Sequence, residues 1–557
     1  EADQSGKLLQ RMMEAVDGDY QRYSIDDGSY TREHFFGKYP ETLKLVENMS
    51  NTEIQKLPRG GHDQLKVYNA YLQAIKNTSG PTVILAKTIK GYGLGEAGEG
   101  RNITHAQKKL NETELKEFRD RFDIPIADSK LSELPFYRPK EQSEEIQYLK
   151  ERREALGGFL PKRKFKSKKL KLPQLTNFEE LLKDSGEKTM ATTMAFNRFL
   201  QKLLKDPNLG KRIVPIIPDE ARTFGLDPLF RSVGIYSSLG QVYEPVDKES
   251  FLYYREDKSG QVLEEGITEA GSMASFTASG TAYATFSEAM IPFYIYYSMY
   301  GFQRTGDLMW AFGDSMGKGF LLGATFGRST LAGEGLQHQD GHSHLLMSVL
   351  PNIKAYHPAF AYEIAVILSQ GLKEMYEENQ DCFYYLTLQN EPYPMPAMPE
   401  GVEAGILKGL YCFEKTTKRK KQHLHLWASD AIMMEAKKAK LILEKEHDIS
   451  VDLWSATSYQ QLRKEALSVE EENFKNPKSK AKLSYLQQIL QENTEPILAV
   501  SDQIKAIPDQ IARWTGQQMS VLGTDGFGLS ETREGLREHF QINTKTIVER
   551  ALKRLKN

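Results

Sequence analysis

The sequence predicts an α/β protein built on parallel β-sheets flanked by helices. Short runs rich in β-branched and aromatic residues alternate along the chain with longer segments of helical periodicity. Strands that alternate with helices of this length are joined by crossovers, and crossovers produce parallel pairs. The predicted strands are Arg212–Ile217, Ile291–Tyr297, Phe383–Leu388, Leu424–Ala428, Val451–Ser455, Ile497–Ser501 and Ser520–Leu522, and the intervening helices include Met194–Leu204, Tyr362–Glu377 and Asp430–Glu446.

Composition excludes several classes of function. The 557 residues are 40% hydrophobic and 27% charged, with a formal net charge of −2, so no overall field attracts nucleic acid. The longest apolar stretch, Met290–Phe302, is too short to cross a bilayer. Two cysteines, Cys382 and Cys412, cannot form a disulfide framework, which is typical of a reducing compartment. We therefore expect a cytoplasmic protein with neither nucleic-acid nor membrane partners.

Composition shifts divide the chain into three α/β regions and a linker, in keeping with a length that exceeds a single core. The first region contains an amphipathic helix, Leu65–Lys76, and an apolar run, Thr82–Ala86, that predicts a buried strand. The basic run Lys162–Lys171 contains a single aromatic residue, which favours a solvated linker over a nucleic-acid surface. The predicted regions are residues 1–150, the linker 151–185, residues 186–402 and residues 403–557.

The densest group of chemically active side chains lies in the middle region. Glu269 follows a loop and opens a run of small residues, as expected for a helix start, where a carboxylate favours the dipole. Three histidines, His338, His342 and His344, share one short segment, but Gly341 interrupts the helical spacing that a zinc site would use. Zinc ligation is therefore less favoured than a structural pair or one histidine that acts as an acid, base or hydrogen-bond donor.

Six longer strings carry a family resemblance. They are Thr31–Glu41, Ala86–Gly93, Asp219–Gly225, Ile291–Arg304, Gly335–His344 and Leu522–Gly528. In content and order they are similar to the homodimeric bacterial pyruvate dehydrogenase first component, an acetyl-transferring enzyme that depends on thiamine diphosphate and Mg²⁺. The resemblance covers essentially the whole chain. It implies a thiamine diphosphate-binding, transketolase-like fold with a transketolase-like α/β domain at the C-terminus.

The resemblance implies roles for five residues around the cofactor's pyrimidine ring and the substrate. Glu269 matches the carboxylate that hydrogen-bonds the aminopyrimidine and promotes loss of a proton from the thiazolium carbon. Ile267 matches the apolar residue that holds the cofactor bent, and Tyr300 matches an aromatic stacking position. Tyr297 and His338 match donors to pyruvate and the species derived from it.

Four further matches extend the implied site. Lys90 matches a cation near the substrate, and Asp219 and Glu220 match carboxylates near the cofactor at the interface of a homodimer. His105 matches the histidine of a mobile loop that closes over the cofactor and assists acetyl transfer to the lipoyl domain of dihydrolipoamide acetyltransferase. A second mobile loop is implied at Gly240–Arg255. Closure excludes water from a reactive species that would otherwise be lost.

The family's ligands for Mg²⁺ and the diphosphate have no counterpart in this sequence. They are a Gly-Asp-Gly stretch and a later Asn, hard oxygen donors of the kind that Mg²⁺ requires. Asp525 with Asn543 mimics the pattern at the wrong spacing and in the C-terminal domain, and Val16–Asp19 has no suitable Asn after it. Matching Glu1 to the family places it downstream of the metal motif. The expectation is an N-terminally truncated chain, inactive alone, whose metal ligands belong to the missing segment.

Three functions are compatible with these observations. The leading hypothesis is a pyruvate dehydrogenase first component, represented by a fragment or by one part of a split gene. A related enzyme, a transketolase or another 2-oxo-acid decarboxylase, is the second, although the His338–His344 segment and His105 argue against transketolase. The third is a non-catalytic remnant that dimerises or pairs with a separate N-terminal chain.

Overall fold

A computed structural model describes residues 3–57, 60–159, 167–219, 221–246 and 254–556, without the side chain of Gln517. The chain forms two compact units, residues 1–159 and residues 160–557. Among the described helices, none combines the length and the apolar character that crossing a bilayer requires.

The first unit is helical over its described residues. Its helices are α1 (Lys7–Glu14), α2 (Asp17–Ile25), α3 (Gly28–His34), α4 (Pro40–Leu45), α5 (Asn51–Gln55), α6 (Gln64–Lys76), α7 (Glu112–Arg121) and α8 (Glu144–Ala155). A small core of Phe35, Phe36, Val46 and Ile54 joins α3 to α5. A Cβ at Gly28 would lie 1.7 Å from the carbonyl oxygen of Asn51, so these two helices approach closely only because residue 28 has no side chain.

The predicted buried strand Thr82–Ala86 is wrong. These residues form no strand, and Val83 and Leu85 are 82% and 91% exposed. A strand is stable only when a neighbour completes its hydrogen-bond ladder, and the described part of this unit contains no strand to pair with it. The predicted helix Leu65–Lys76 does form, as α6, but none of its residues is buried, and Leu65 and Ile75 are 69% and 78% exposed. Periodicity identified the local structure of α6 without identifying its surroundings.

The second unit contains all the described strands. They are β1 (Thr189–Met190), β2 (Ile213–Ile217), β3 (Ile235–Tyr236), β4 (Glu256–Asp257), β5 (Leu263–Glu264), β6 (Ile291–Tyr297), β7 (Phe320–Ala324), β8 (Ile353–Tyr356), β9 (Phe383–Thr387), β10 (Tyr393–Pro394), β11 (Tyr411–Glu414), β12 (His423–Ala428), β13 (Ser450–Ser455), β14 (Ile497–Val500) and β15 (Met519–Leu522). Two sheets contain most of them, and the pairs β1–β10 and β3–β4 form separate two-stranded ribbons.

Helices of the second unit alternate with these strands. They are α9 (Glu179–Leu182), α10 (Thr192–Leu204), α11 (Asp227–Ser232), α12 (Glu269–Gly280), α13 (Ala282–Thr285), α14 (Gly301–Asp314), α15 (Ser343–Met347), α16 (Ala361–Leu372), α17 (Glu403–Lys408), α18 (Met433–Glu446), α19 (Tyr459–Lys475), α20 (Tyr485–Glu492), α21 (Ala512–Thr515), α22 (Arg533–His539) and α23 (Thr544–Lys556). Phe178 and Leu181 are each 1% exposed, so the later part of the predicted linker packs into the core of this unit.

The larger sheet has six strands in the order β5-β2-β6-β7-β9-β8, and every neighbouring pair is parallel. The predicted parallel α/β architecture is therefore confirmed. Strand β6 is buried along all but its last residue, as its unbroken apolar sequence predicts. Strands β7 and β8 were not predicted. Gly323 in β7 leaves room for the Tyr385 hydroxyl, 2.5 Å from where a Cβ would stand, so this glycine serves packing rather than a turn.

The smaller sheet has five strands in the order β11-β13-β12-β14-β15. Strand β11 is antiparallel to β13 at one edge, and the other pairs are parallel. Strands β12 to β15 match the four strands predicted for the C-terminal region, whereas β11 was missed because Tyr411–Glu414 is short and ends in a charged residue.

We predict that exposed apolar residues of the first unit can be replaced by charged residues with little loss of stability. Val83→Lys and Leu85→Lys should change the free energy of unfolding by less than about 0.5 kcal/mol, because neither side chain loses a packed environment. Ile295, 1% exposed in β6, provides the contrast, since Ile295→Ala should cost about 2–5 kcal/mol. Thermal and urea unfolding of residues 1–557 measure both effects. Loss of stability in the lysine variants equal to that of Ile295→Ala would contradict the exposed placement.

Candidate functional site

The carboxyl ends of the six parallel strands all open at one edge of the larger sheet. Parallel α/β sheets bind ligands at this edge, because the loops that leave it converge there. Asp219 follows β2, Ile267 and Glu269 follow β5, and Tyr297 ends β6. Tyr300 and His338 lie on the loops that leave β6 and β7. The sheet thus brings six of the predicted residues to a common edge, whereas Glu220 lies outside the described residues.

Three aromatic rings form the centre of this edge. The ring centroids of Tyr297 and His338 are 4.8 Å apart, and those of Tyr300 and His338 are 5.4 Å apart. His338 ends a 3₁₀ turn, Leu336–His338, and its Nδ1 lies 3.3 Å from the carbonyl oxygen of Glu334. An imidazole that donates from Nδ1 to this carbonyl presents a lone pair on Nε2. His338 is therefore held in one tautomer, with Tyr297 and Tyr300 beside it.

A carboxylate and a guanidinium extend the aromatic centre. Glu269 is the first residue of α12, and its side chain is 12% exposed. The Thr268 hydroxyl caps this helix by accepting the Gly271 N–H. Arg304 donates from Nη1 to Glu269 Oε1 at 2.5 Å, and its guanidinium carbon lies 4.1 Å from the Tyr300 ring centroid. Arg304 therefore couples the predicted carboxylate to the predicted stacking ring by an ion pair and a cation–π contact. We call Glu269, Tyr297, Tyr300, Arg304 and His338 the edge cluster.

The electrostatics of the edge cluster agree with its geometry. Burial and then the charge of Glu269 raise the pKa of Tyr294, whose hydroxyl lies 3.4 Å from the Glu269 carbonyl oxygen. Burial also raises the pKa of Tyr300, and the Arg304 charge acts in the opposite direction. Both phenols therefore stay protonated at neutral pH. The acidic and basic side chains of the cluster, Glu269 and Arg304, are paired with each other.

Arg304 was missed as a site residue by sequence reasoning, although it ends one of the strings that carry the resemblance. The usable signal is its position four residues after Tyr300, where a helix places two side chains on the same face. Its pairing with Glu269 joins residues 35 positions apart in sequence and could not be inferred from spacing.

An apolar side chain and further carboxylates flank the edge cluster. Ile267 is 77% exposed, which makes it an apolar surface beside the Glu269 carboxylate. Asp219 is half-buried at the end of β2, and Glu264 ends the neighbouring strand β5. Burial and then the Asp219 charge raise the pKa of Glu264. A carboxylate acceptor, a half-buried aromatic ring and an exposed aliphatic side chain are suited to a flat heterocycle that carries an N–H donor.

The other two histidines of the predicted segment have structural partners. His342 Nδ1 lies 3.1 Å from Arg328 Nη2, and its Nε2 lies 2.6 Å from the side-chain amide of Gln303. His344 is buried, with Nε2 3.0 Å from the Thr387 hydroxyl, and burial holds its pKa well below the usual range. The three histidines of this segment thus face different neighbours.

Residues of the C-terminal region fix the loop that carries His338. Asp502, fully buried after β14, accepts the backbone N–H groups of Ser329 and Thr330 at 2.8 Å, one on each carboxylate oxygen. The backbone N–H of Ile504 donates to the Gly341 carbonyl at 2.8 Å. Both ends of the loop are therefore tied to the smaller sheet, and the position of His338 depends on that sheet.

A second buried carboxyl lies behind Asp502. Asp430 is 2% exposed, accepts a hydrogen bond from Gln503 at 3.2 Å and adopts a left-handed backbone with φ of 54°. Burial and then the charge of Asp502 raise the pKa of Asp430 well above its usual range. Ionisation of Asp430 is thus disfavoured in the folded chain.

Lys90 and His105 belong to the first unit and are described within it. Both side chains are exposed, and His105 ends the 3₁₀ turn Asn102–His105. The Lys90 carbonyl accepts the Gly100 N–H at 2.9 Å, and this bond closes the glycine-rich segment between them. The two predicted residues therefore lie at the two ends of one loop structure.

Comparisons with known proteins now decide the family. One family model, the pyruvate dehydrogenase E1 component middle domain, matches residues 171–396, and the transketolase-like C-terminal domain model matches residues 409–543. The pyruvate dehydrogenase E1 component of Pseudomonas aeruginosa is 52% identical over 554 residues, which are 99% of this chain. The chain belongs to the pyruvate dehydrogenase E1 component family.

Other members of this E1 family give the same result. The proteins of Mycobacterium tuberculosis and Escherichia coli K12 are 49% and 47% identical over 100% and 99% of this chain. The chain spans 63%, 60% and 62% of the lengths of the Pseudomonas, Mycobacterium and Escherichia relatives. A transketolase from Campylobacter jejuni has a TM-score of 0.59 at 17% identity, over 97% of this chain and 75% of that one. The expected transketolase-like fold is therefore confirmed.

We predict that Asp430 makes folding less favourable as pH rises. Its folded pKa is raised above the ordinary value of about 3.9, so stability is complete below that value and declines as pH rises toward the folded pKa. Asp430→Asn removes this ionisation, keeps an acceptor for Gln503 and tolerates the left-handed backbone. The variant should gain stability over the parent between pH 5 and pH 8, by up to about 1.4 kcal/mol per pH unit.

Asp448→Asn is the matched control for this prediction. Asp448 is also left-handed, with φ of 57°, but it is exposed. Thermal unfolding across the pH range compares the two variants. An identical pH dependence for Asp430→Asn and Asp448→Asn would rule out the buried carboxyl as its source.

Proposed function

We propose that this chain supplies part of a pyruvate dehydrogenase (acetyl-transferring). The reaction is oxidative decarboxylation of pyruvate and reductive acetylation of lipoyl groups on dihydrolipoamide acetyltransferase, with thiamine diphosphate and Mg²⁺ as cofactors. The observation that carries the proposal is the edge cluster, in which a carboxylate at a helix N-terminus, two tyrosines and a histidine of fixed tautomer meet at the ligand-binding edge of a parallel sheet. Identity near 50% to E1 components over the chain supports it.

The edge cluster fits the pyrimidine end of thiamine diphosphate. Glu269 offers carboxylate oxygens to ring nitrogen, Tyr300 offers a face for stacking, and Ile267 offers apolar contact to the bend of the cofactor. When bound, thiamine diphosphate supplies a carbon nucleophile for the pyruvate carbonyl and an electron sink for loss of CO₂. Glu269 holds the ring in the protonation state from which that nucleophile forms. Asp219 contributes a further carboxylate, and the family resemblance implies the same role for Glu220, which lies outside the described residues.

Substrate recognition is assigned to the aromatic half of the edge cluster. His338 Nε2 and the Tyr297 hydroxyl orient the carbonyl and carboxylate of pyruvate, and Lys90 adds a positive charge that favours an anionic substrate. The role that the family resemblance implies for His105 is to lie on a mobile loop that excludes water and assists acetyl transfer to the lipoyl group. Residues 247–253 of the second loop, Gly240–Arg255, lie outside the described residues. We further propose a cytoplasmic homodimer.

We predict that Glu269→Gln abolishes decarboxylation without unfolding the protein. The amide keeps the shape and the contact with Arg304 but lacks the charge that activates the aminopyrimidine, so the rate should fall by about 100-fold or more. The assay uses a chimera that joins residues 1–557 to the part of the Pseudomonas relative that this chain does not match. Pyruvate turnover with an artificial electron acceptor is measured beside cofactor binding by calorimetry.

Glu446→Gln is the control for this variant, because Glu446 is exposed at the end of α18, away from the edge cluster. Equal turnover by the two variants would refute the role of Glu269. A chimera that consumes sugar phosphates but not pyruvate would refute the proposed function itself and favour the transketolase alternative.

We predict that His105→Ala separates the two half-reactions. Decarboxylation with an artificial acceptor should persist, while acetylation of an isolated lipoyl domain should fall by about 100-fold, because only the transfer step uses this side chain. His447→Ala provides a control at another exposed histidine. Equal losses in the two assays would contradict a transfer-specific role for His105.

A further inference from the structure

A cluster of buried side chains with metal-binding atoms lies in the smaller sheet, at the end where its parallel strands begin. His423 and His425 begin β12, and Asp452 lies beside them on the parallel neighbour β13. Their registers, His423 with Ser450 and His425 with Asp452, place the side chains on one face because residues two apart share a face. The two histidines and Asp452 are 4%, 1% and 4% exposed.

The hydrogen bonds of Ser450 determine which nitrogen of His423 carries the proton. The Ser450 hydroxyl lies 3.2 Å from the Gln422 carbonyl, to which it can only donate, and it accepts the Lys420 N–H at 3.0 Å. A hydroxyl has one hydrogen, so the contact of 2.8 Å with His423 Nδ1 requires the imidazole to donate. His423 therefore directs the lone pair of Nε2 at Asp452 Oδ2, 3.3 Å away.

The tautomer of His425 follows from its neighbours in the same way. Its Nε2 lies 3.2 Å from Glu495 Oε2, which can only accept, so Nε2 carries the hydrogen. Its Nδ1 keeps a lone pair, accepts the indole N–H of Trp454 at 3.2 Å and lies 3.9 Å from Asp452 Oδ2. The second oxygen of Asp452 already accepts the Thr416 N–H at 2.7 Å.

Three lone pairs thus converge in a buried space. His423 Nε2, His425 Nδ1 and Asp452 Oδ2 all lie within 4.8 Å of one another, and the lone pair of His425 Nδ1 accepts the Trp454 indole N–H. Acceptors that face each other away from water repel, so the arrangement calls for a cation between them, which is either a second proton on His423 or a metal ion.

We propose that His423, His425 and Asp452 form a binding site for one divalent transition-metal ion, with Zn²⁺ as the best match. Two imidazole nitrogens and a carboxylate oxygen are a donor set that zinc uses, and bonds of about 2.0–2.2 Å place tetrahedral donors about 3.4 Å apart. To reach this geometry from separations of 3.3 and 3.9 Å, the side chains rotate and His425 Nδ1 exchanges its hydrogen bond from Trp454 for a bond to the ion. A water molecule supplies the fourth ligand.

The surroundings are those of a supported metal site. Each histidine gives its other ring N–H to an oxygen, Ser450 for His423 and Glu495 for His425, which fixes the tautomer that a ligand requires. An ion at this place bonds adjacent parallel strands together at the beginning of the sheet. Its effect is structural, because the edge cluster lies at the carboxyl ends of the other sheet.

Metal titration of residues 1–557 tests the proposal. After removal of metals with a chelator, Zn²⁺ should bind at one equivalent per chain with a dissociation constant of about 1 µM or tighter, and binding should raise the unfolding temperature. Co²⁺ in place of zinc should give the intense visible absorption of a four-coordinate site. Failure of the parent chain to bind either ion with saturation overturns the proposal.

Variants then locate the ion. Asp452→Asn and His423→Gln should abolish the one-equivalent binding and the Co²⁺ absorption, whereas His447→Gln, at an exposed histidine of the same region, should retain both. Glu495→Ala removes a partner whose side chain is 26% exposed, and it should weaken binding by about 10–100-fold even if the buried variants do not fold. Undiminished binding by Glu495→Ala and by a folded His423→Gln places the ion elsewhere and refutes the site.

Discussion

The parallel arrangement of the larger sheet is the constraint on which the edge cluster depends. Parallel strands must be joined by crossovers, so every strand of the sheet ends at the same edge and every following loop begins there. Residues far apart in sequence, from Asp219 to His338, meet because of this rule rather than through local structure. The neighbours β2, β5, β6 and β7 each deliver a different chemical group, which makes strand order the determinant of site composition.

The sequence predicted the strongly patterned parts of this fold. The bounds of β6 agree with the prediction because seven consecutive residues favour a buried strand, and β2 and β9 are similar cases. Strand β8 was not found because Lys354 interrupts a run of only four residues. Thr82–Ala86 was predicted as a strand because propensity is local, while a ladder requires a partner that propensity does not reveal.

The edge cluster was predictable only where the family resemblance reached it. Tyr297, Tyr300 and His338 lie in matched strings, and Glu269 was matched to the family by position. The Glu269–Arg304 ion pair depends instead on how α12 and α14 pack. No sequence pattern identifies Asp430 and Asp502 as buried carboxyls, because burial cannot be read from the spacing of residues. Sequence periodicity does not reveal contacts between residues of different sheets or helices.

The ion pair of Arg304 with Glu269 bears on which molecules the edge selects. Glu269 has a guanidinium partner that is itself nearly half exposed, at 47%, so the carboxylate is charge-balanced before any ligand arrives. A cationic guest would gain little from a balanced pair and would be repelled by Arg304. A neutral heteroaromatic ring can share the carboxylate through a hydrogen bond and lie against Tyr300 without disturbing that balance. The edge therefore discriminates by the guest's charge as well as by its shape.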